Sequence, residues 1–441
     1  MKSQAGAPGW GAPQGDIALA ELAPTAQRIL DAARRVLERD GYSGLTLRRI
    51  GREAGETKSL IVYHFGGKDG LIAALVDSLW HEEDLDLVRR LAGLPDSPAD
   101  RLRALIDVHH ALALETSDYR VYFDLLPNLM RDADARRRHA QLNASYRAMG
   151  VMATAGTVLD DGEQQALACL LLAVGEGAGA LVLLDPEGFD HDAAFALLQT
   201  LTAQRAAVVP AGAIDSAPAD AGASRMGAAG ATAEGGAAPV DIGSGLAGGL
   251  PPVMADPTAE LAPVARRLLE GAIKVLVRDG LERLTFEAVA DASGEPRSAT
   301  TYYFGEKHNL IVAAHDTLLY RAQQRTARRL RAAASAPRSP LAGAPSRIPG
   351  GPRVFRTLYE LLPAVLRDDH LRRRHEEYLA WLRAALTVAA VERGEPSSPA
   401  LVDLTLAVTY GLPIQLLQGS RSIAARPVLE MWESLVAGFD A

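Results

Sequence analysis

Thr57, Lys58, Ser59, Val62, Tyr63 and His64 lie within eight residues, in the string TKSLIVYH. Hydroxyls, an ammonium and a branched apolar side chain on one short helix can read a DNA duplex. The hydroxyls and Lys suit phosphates or base edges, and Val62 suits a thymine methyl. Lys68, at the start of the following helix, adds charge for a phosphate, and Thr46 supplies one more hydroxyl upstream. The same chemistry returns 239 residues later. Thr285, Ser298, Tyr302 and Lys307 stand at the positions of Thr46, Ser59, Tyr63 and Lys68, with Arg297, Thr301 and Tyr303 completing the second face.

Short helices must position these groups. Ile29, Leu30, Ala33, Val36 and Leu37 recur at helical spacing, so residues 25–39 read as an amphipathic helix capped by Thr25. Asp40-Gly41 predicts its stop. Thr46 can cap a second helix with Leu47, Ile50 and Ala54 inward. Gly55 breaks the chain, and Thr57 can cap a third helix with Ile61 and Phe65 inward. Two short helices across a Gly turn form a helix-turn-helix, whose second helix fits a major groove. The spacing alone is equally satisfied by a plain three-helix core with a solvated polar face.

Residues 25–78 resemble the N-terminal domain of the tetracycline-repressor (TetR) family, through LTLRRIGREAG, TKSLIVYHF and GGKDGLI. Residues 264–317 resemble the same domain through LTFEAVADASG, RSATTYYF and GEKHNLI. The resemblance implies an all-α fold of two tandem TetR-like units, each a helix-turn-helix head followed by a helical ligand-binding and dimerisation domain. It places phosphate contacts at Thr46, Thr57, Tyr63 and Lys68, and base contacts nearest Lys58, Ser59 and Val62. Glu56 and Glu295 depart from the family, which usually has a small apolar residue there. Glutamate suits a helix N-terminus and can read a cytosine amino group, but it repels phosphate.

The chain divides accordingly into a tail (1–20), a first head (21–78), a helical domain (79–208) and a linker (209–257). A second head (258–317) and a second helical domain (318–441) follow. The linker is Ala-, Gly-, Pro- and Ser-rich; as a flexible coil it spans roughly 40 Å, enough to return from one unit to the next head. Later segments repeat too: LLP at 125–127 and 361–363, RD at 131–132 and 367–368, RRRH at 136–139 and 372–375. The arginine clusters read as solvated helix faces. Gly175, Gly177 and Gly179 permit close helix packing, and residues 167–184 read as a buried helix and not a membrane span because Glu176 lies at their centre.

Net charge is −8 with one cysteine, which argues against nonspecific polyanion binding and excludes an intrachain disulfide. Cys169 reads as core. The tail lacks the features of a signal peptide, and the expected location is the cytoplasm. Residues 25–70 hold nine Lys/Arg against six Asp/Glu, whereas 264–309 hold seven against seven. Arg48 and Arg52 become Glu287 and Asp291, so the second head should grip DNA more weakly, on another sequence, or not at all. The fifth helix of unit one aligns with a segment carrying Pro337, Pro340, Pro345 and Pro349, which a helix interior excludes. A Pro-rich loop over 334–352 is expected instead.

By resemblance, an effector pocket lies among the helices after the head. Candidate groups in unit one are His109, His110, Tyr119, Phe123, Met130, Tyr146 and Met149, all residue types that also serve as ordinary core. His109 and His110 point about 100° apart on a helix, without a Cys or carboxylate at ligand spacing along it, so no metal site is expected. No cofactor or catalytic motif is found, and an enzyme is not expected. The reading is a DNA-binding transcriptional regulator, a repressor by resemblance, on an imperfectly palindromic operator. One chain forms a pseudo-dimer, or two chains pair, and a small molecule is the expected effector. The alternative is a small-molecule or protein-binding scaffold whose heads no longer bind DNA.

Overall fold

The computed structural model describes residues 23–78, 97–206 apart from 132, 249–333, 352–417 apart from 396, and 425–437. Among these residues every regular element is a helix. The tail, residues 79–96, the linker sequence over 207–248 and the Pro-rich segment 334–351 lie outside the described residues.

The N-terminal half opens with α1 (Pro24–Gly44), α2 (Leu47–Ala54), α3 (Lys58–Phe65) and α4 (68–78). It continues with α5 (Pro98–Leu114), α6 (Thr116–Arg131), α7 (Ala133–Thr154), α8 (Asp161–Leu184) and α9 (His191–Arg205). The C-terminal half opens with α10 (Pro263–Asp279), α11 (Phe286–Ser293) and α12 (Arg297–Phe304). It continues with α13 (Lys307–Ala333), α14 (Pro352–Val365), α15 (Asp369–Val391), α16 (Pro399–Leu417) and α17 (Ala425–Ala437).

Three sequence expectations need correction. Thr25 does not cap α1, because Pro24 already occupies the first helical turn and Ala23 precedes it without a side-chain bond. Residues 249–257, expected inside the linker, pack on the C-terminal half through Leu250, Val253 and Met254. The Trp381 indole donates to the Pro251 carbonyl (3.2 Å), and the Met254 amide donates to Gln323 Oε1 (2.8 Å). Pro352, expected to close the Pro-rich loop, instead opens α14, where a missing N–H is harmless.

The arginine clusters are only partly solvated faces. His139 is buried, stacks on Tyr122 at 5.5 Å and pairs with Asn143 at 3.2 Å. Arg136 donates to the Met130 carbonyl at 2.5 Å, closing the end of α6. His375 is buried too, between His315 (3.3 Å) and the Tyr410 hydroxyl (3.0 Å). In each cluster the histidine enters the core.

The two halves meet along α8 and α16. Gly177 of α8 faces Gly411 and Ala407 of α16, and a Cβ at either glycine would collide with the opposite backbone. The other two glycines of the α8 stripe serve different neighbours, with Gly175 accommodating His109 and Gly179 accommodating Tyr119. Buried Glu176 accepts from Tyr122 of α6 (3.2 Å) and from Gln415 of α16 (2.7 Å). Both α8 and 399–416 of α16 are long and apolar enough to cross a membrane, yet 89% and 78% of those windows are buried within the protein. The second stretch escaped the sequence reading.

A second seam joins α6 to α14. Arg367 forks onto buried Asp124 of α6, donates to the Leu37 carbonyl (3.0 Å) and lies against Gly41, the non-helical residue at which the regular part of α1 stops. Arg131 pairs with buried Glu360 of α14, and its guanidinium fills the space above Gly280 after α10. Each arginine thus crosses between halves and reaches the end of the opposite half's first helix. Arg383 of α15 adds a third bridge, to Asp185 and Asp403.

Gly177→Val should overpack the α8–α16 crossing and cost about 1–3 kcal/mol in urea unfolding, while Gly162→Ala, in the first turn of α8, changes little. Burial, with His315 beside it, lowers the His375 pKa to about 3 from 6.5. The unfolded chain then binds more protons between those values, so stability falls on acidification by about 1.4 kcal/mol per pH unit below 6.5. Comparing unfolding at pH 7 and 5 should show that loss in the native protein and a smaller one in His375→Gln.

Candidate nucleic-acid interface

The first head is built by local rules that act on few residues. The Arg49 amide donates to Thr46 Oγ1 and the Leu60 amide to Thr57 Oγ1, both at 3.3 Å, so the two threonines cap α2 and α3. Gly55 takes φ +70° between the helices, a left-handed conformation that favours glycine. Ile50 and Ile61 are fully buried against α1, with Leu47, Ala54 and Phe65 partly buried around them. That packing leaves the opposite face of α3 outward. Lys58, Ser59 and Val62 are exposed, Tyr63 is 81% exposed, and His64 is half-buried against Tyr63 and Phe65.

The second head repeats this geometry with one cap missing. Thr285 accepts from the Ala288 amide at 3.1 Å, and Gly294 takes φ +74°. Pro296 precedes α12 without a side-chain cap. Thr300 and Phe304 turn inward, while Arg297, Ser298, Thr301 and Tyr303 are exposed and Tyr302 is 81% exposed. Tyr63 and Tyr302, at matching positions, are the most exposed large hydrophobic side chains among the described residues.

Lys68 and Lys307 are less free than expected. Lys68 Nζ sits 4.0 Å from the Tyr42 ring centroid, a cation–π contact, and Lys307 donates to the Leu281 carbonyl at 3.2 Å. Burial lowers the pKa of both, with Glu282 opposing the shift at each. The departing glutamates also have partners: Glu56 binds Arg28 at 2.6 Å, and Glu295 binds Arg267 at 2.5 Å. Both ties run from the turn back to the head's first helix. Each carboxylate thereby has its charge offset by an arginine of its own head. The repeated Arg was the signal in the sequence, but its partner lies 28 residues away in each copy.

A model of the "Bacterial regulatory proteins, tetR family" domain matches residues 29–75, which covers this first head. The chain is 36% identical over 104 residues to the HTH-type transcriptional regulator SrpR of Pseudomonas putida, a match covering 23% of this chain and 48% of that protein. It is 35% identical over 104 residues to the uncharacterized HTH-type transcriptional regulator TtgW of Pseudomonas putida, covering 23% of this chain and 77% of that protein. The chain belongs to the TetR family. The HTH-type transcriptional regulator BetI of Brucella anthropi is 30% identical over 150 residues, covering 30% of this chain and 77% of that protein. The chain spans about half of SrpR and about three quarters of the other two.

Behind this TetR-family head, six of the seven candidate pocket residues lie in the buried core of α5, α6 and α7. His109, Tyr119, Phe123, Met130, Tyr146 and Met149 are all buried. His109 Nδ1 donates to the Leu105 carbonyl (2.8 Å), Tyr119 donates to the Gly175 carbonyl (3.2 Å), and the Tyr119 and Phe123 rings lie 5.7 Å apart. His110 leaves this group and turns to α9, stacking on Phe195 at 4.5 Å. Tyr122, which donates to Glu176 and stacks on His139, is buried beside them; none of these three was among the pocket candidates of the sequence. A separate cleft of about 510 Å³, lined by Thr116, Arg120, Asp185 and Arg372 among others, opens between the halves.

Burial raises the Asp124 pKa, with Arg367 opposing the rise. Arg367→Ala should therefore leave a buried carboxyl without its ion partner and free the end of α1, costing on the order of 3 kcal/mol. Urea unfolding should show this loss, and adding Asp124→Asn should recover part of it.

Proposed function

We propose that the chain is a DNA-binding transcriptional regulator that carries a complete pair of heads in one polypeptide. The two tandem TetR-like units would form an intrachain pseudo-dimer through α8, α9, α16 and α17, with the linker returning from one unit to the next head. The observation that carries this reading is the pair of outward recognition faces on α3 and α12, each ending in a tyrosine 81% exposed. Helix-turn-helix pairs read half-sites one or more helical turns apart. Because TKSLIVYH and PRSATTYY present different groups, the operator is an imperfect palindrome.

In this reading Thr46, Thr57, Tyr63 and Lys68 meet phosphates, and Lys58, Ser59 and Val62 meet bases. Thr285, Ser298, Tyr302 and Lys307 take the matching places in the second head, with Arg297, Thr301 and Tyr303 beside them. Thr46, Thr57 and Thr285 also cap their helices: each Oγ1 accepts from a backbone amide and keeps its own proton to donate to a phosphate. Lys68 and Lys307 must leave Tyr42 and the Leu281 carbonyl to reach DNA. The buried core of α5 to α8 is the proposed effector site. A ligand there would favour one spacing of the heads over another, which is the whole of its coupling energy. Repression is the expected sign.

Selection of bound duplexes from a random pool, followed by titration of the winner, tests the proposal. Tyr63→Ala should weaken binding at least about fivefold, the loss of roughly one hydrogen bond. Tyr302→Ala, in the less basic head, should have a smaller effect. Failure to enrich any duplex with folded protein at low salt would overturn the regulator and favour the scaffold.

A further inference from the structure

Three groups with lone pairs converge at the junction of α5 and α9. His110 Nε2 lies 3.0 Å from His191 Nδ1 and 3.4 Å from Asp192 Oδ1. His191 Nδ1 is also 3.4 Å from the same oxygen. A proton can bridge only one of these three contacts at a time. A cation satisfies all three. Ligand atoms about 2.0–2.2 Å from a tetrahedral ion stand about 3.3–3.6 Å from one another; the two 3.4 Å separations fit, and the 3.0 Å His110–His191 pair would open by a few tenths of an ångström.

We propose that His110, His191 and Asp192 form a transition-metal site, with Zn²⁺ as its ion and solvent completing the coordination. Two imidazoles and one carboxylate select this class of metal over Mg²⁺ or Ca²⁺, which take mainly oxygen ligands. The site is preorganised: Phe195 holds the His110 ring by stacking, and Gln199 of α9 donates to Asp107 of α5 at 2.5 Å. It is also reachable, since Asp192 is exposed and both rings are half-buried. The positive N-terminal end of α9 opposes a cation, and Asp190 at the cap with Asp192 in the first turn offsets that field. Among the described residues no other three such groups converge this closely. The sequence argument against a metal considered only spacing along α5, and the completing ligands come from 81 residues downstream.

An ion here would clamp α5 to α9, one residue from His109 in the buried core. It would act independently of DNA binding, so its test does not depend on the heads.

The test is calorimetric titration of the full, tag-free chain with ZnCl₂ in millimolar MgCl₂, repeated with Co²⁺ to read the visible absorption of a low-coordinate site. The expected result is one Zn²⁺ per chain, with affinity falling at least tenfold in His191→Ala and in His110→Gln, and Co²⁺ absorption lost in both. His191 is half-buried and makes few other contacts, so His191→Ala decides the matter if His110→Gln fails to fold. Absence of stoichiometric uptake at tens of micromolar Zn²⁺, or uptake unchanged by His191→Ala, would overturn the site.

Discussion

The close approach of α8 and α16 governs everything else in this molecule. At Gly177 and Gly411 each helix presents no side chain, so each backbone lies against the other. Such an approach tolerates no extra carbon, because packed interiors lack spare volume. The surrounding contacts follow from it. Glu176 can be buried only because Gln415 arrives from α16 and Tyr122 from α6 to satisfy its oxygens. Arg383 can bridge Asp185 and Asp403 only at this separation.

From that seam the constraint passes outward to the heads. The α6–α14 contact carries two reciprocal ion pairs, Arg367 with Asp124 and Arg131 with Glu360. Each arginine also touches the end of a head's first helix, at Leu37 in one case and beside Gly280 in the other. The α6–α14 seam therefore ties the first helices of both halves to one another. In the proposed regulator, coupling between effector and heads would run through these contacts. The heads themselves are unequal, as their charge counts show, and only the first carries Arg48 and Arg52 on exposed positions.

What the sequence made legible was what neighbouring residues decide. Thr46, Gly55 and Thr57 cap and break short helices by interactions spanning three or four residues, and they do so in the structure. Ile50 and Ile61 bury as their spacing requires. The misreadings arose where a partner was distant or a competing rule won. Thr25 lost the cap because Pro24 starts the helix one residue earlier. His139 and His375, read within solvated arginine clusters, turn inward because Tyr122 and Tyr410 lie beside them. Glu56 looked like a liability beside phosphate until Arg28 neutralised it. His110 looked isolated because its neighbours on α9 are adjacent only in the fold.

The most direct test of the account is the number of chains on one operator. Native mass spectrometry of the protein with its selected duplex reads that number without assumptions about shape. The account predicts one 46.8 kDa chain per duplex, with both dissimilar halves of the site protected. Two chains on a single two-half operator, each using one head, would contradict it.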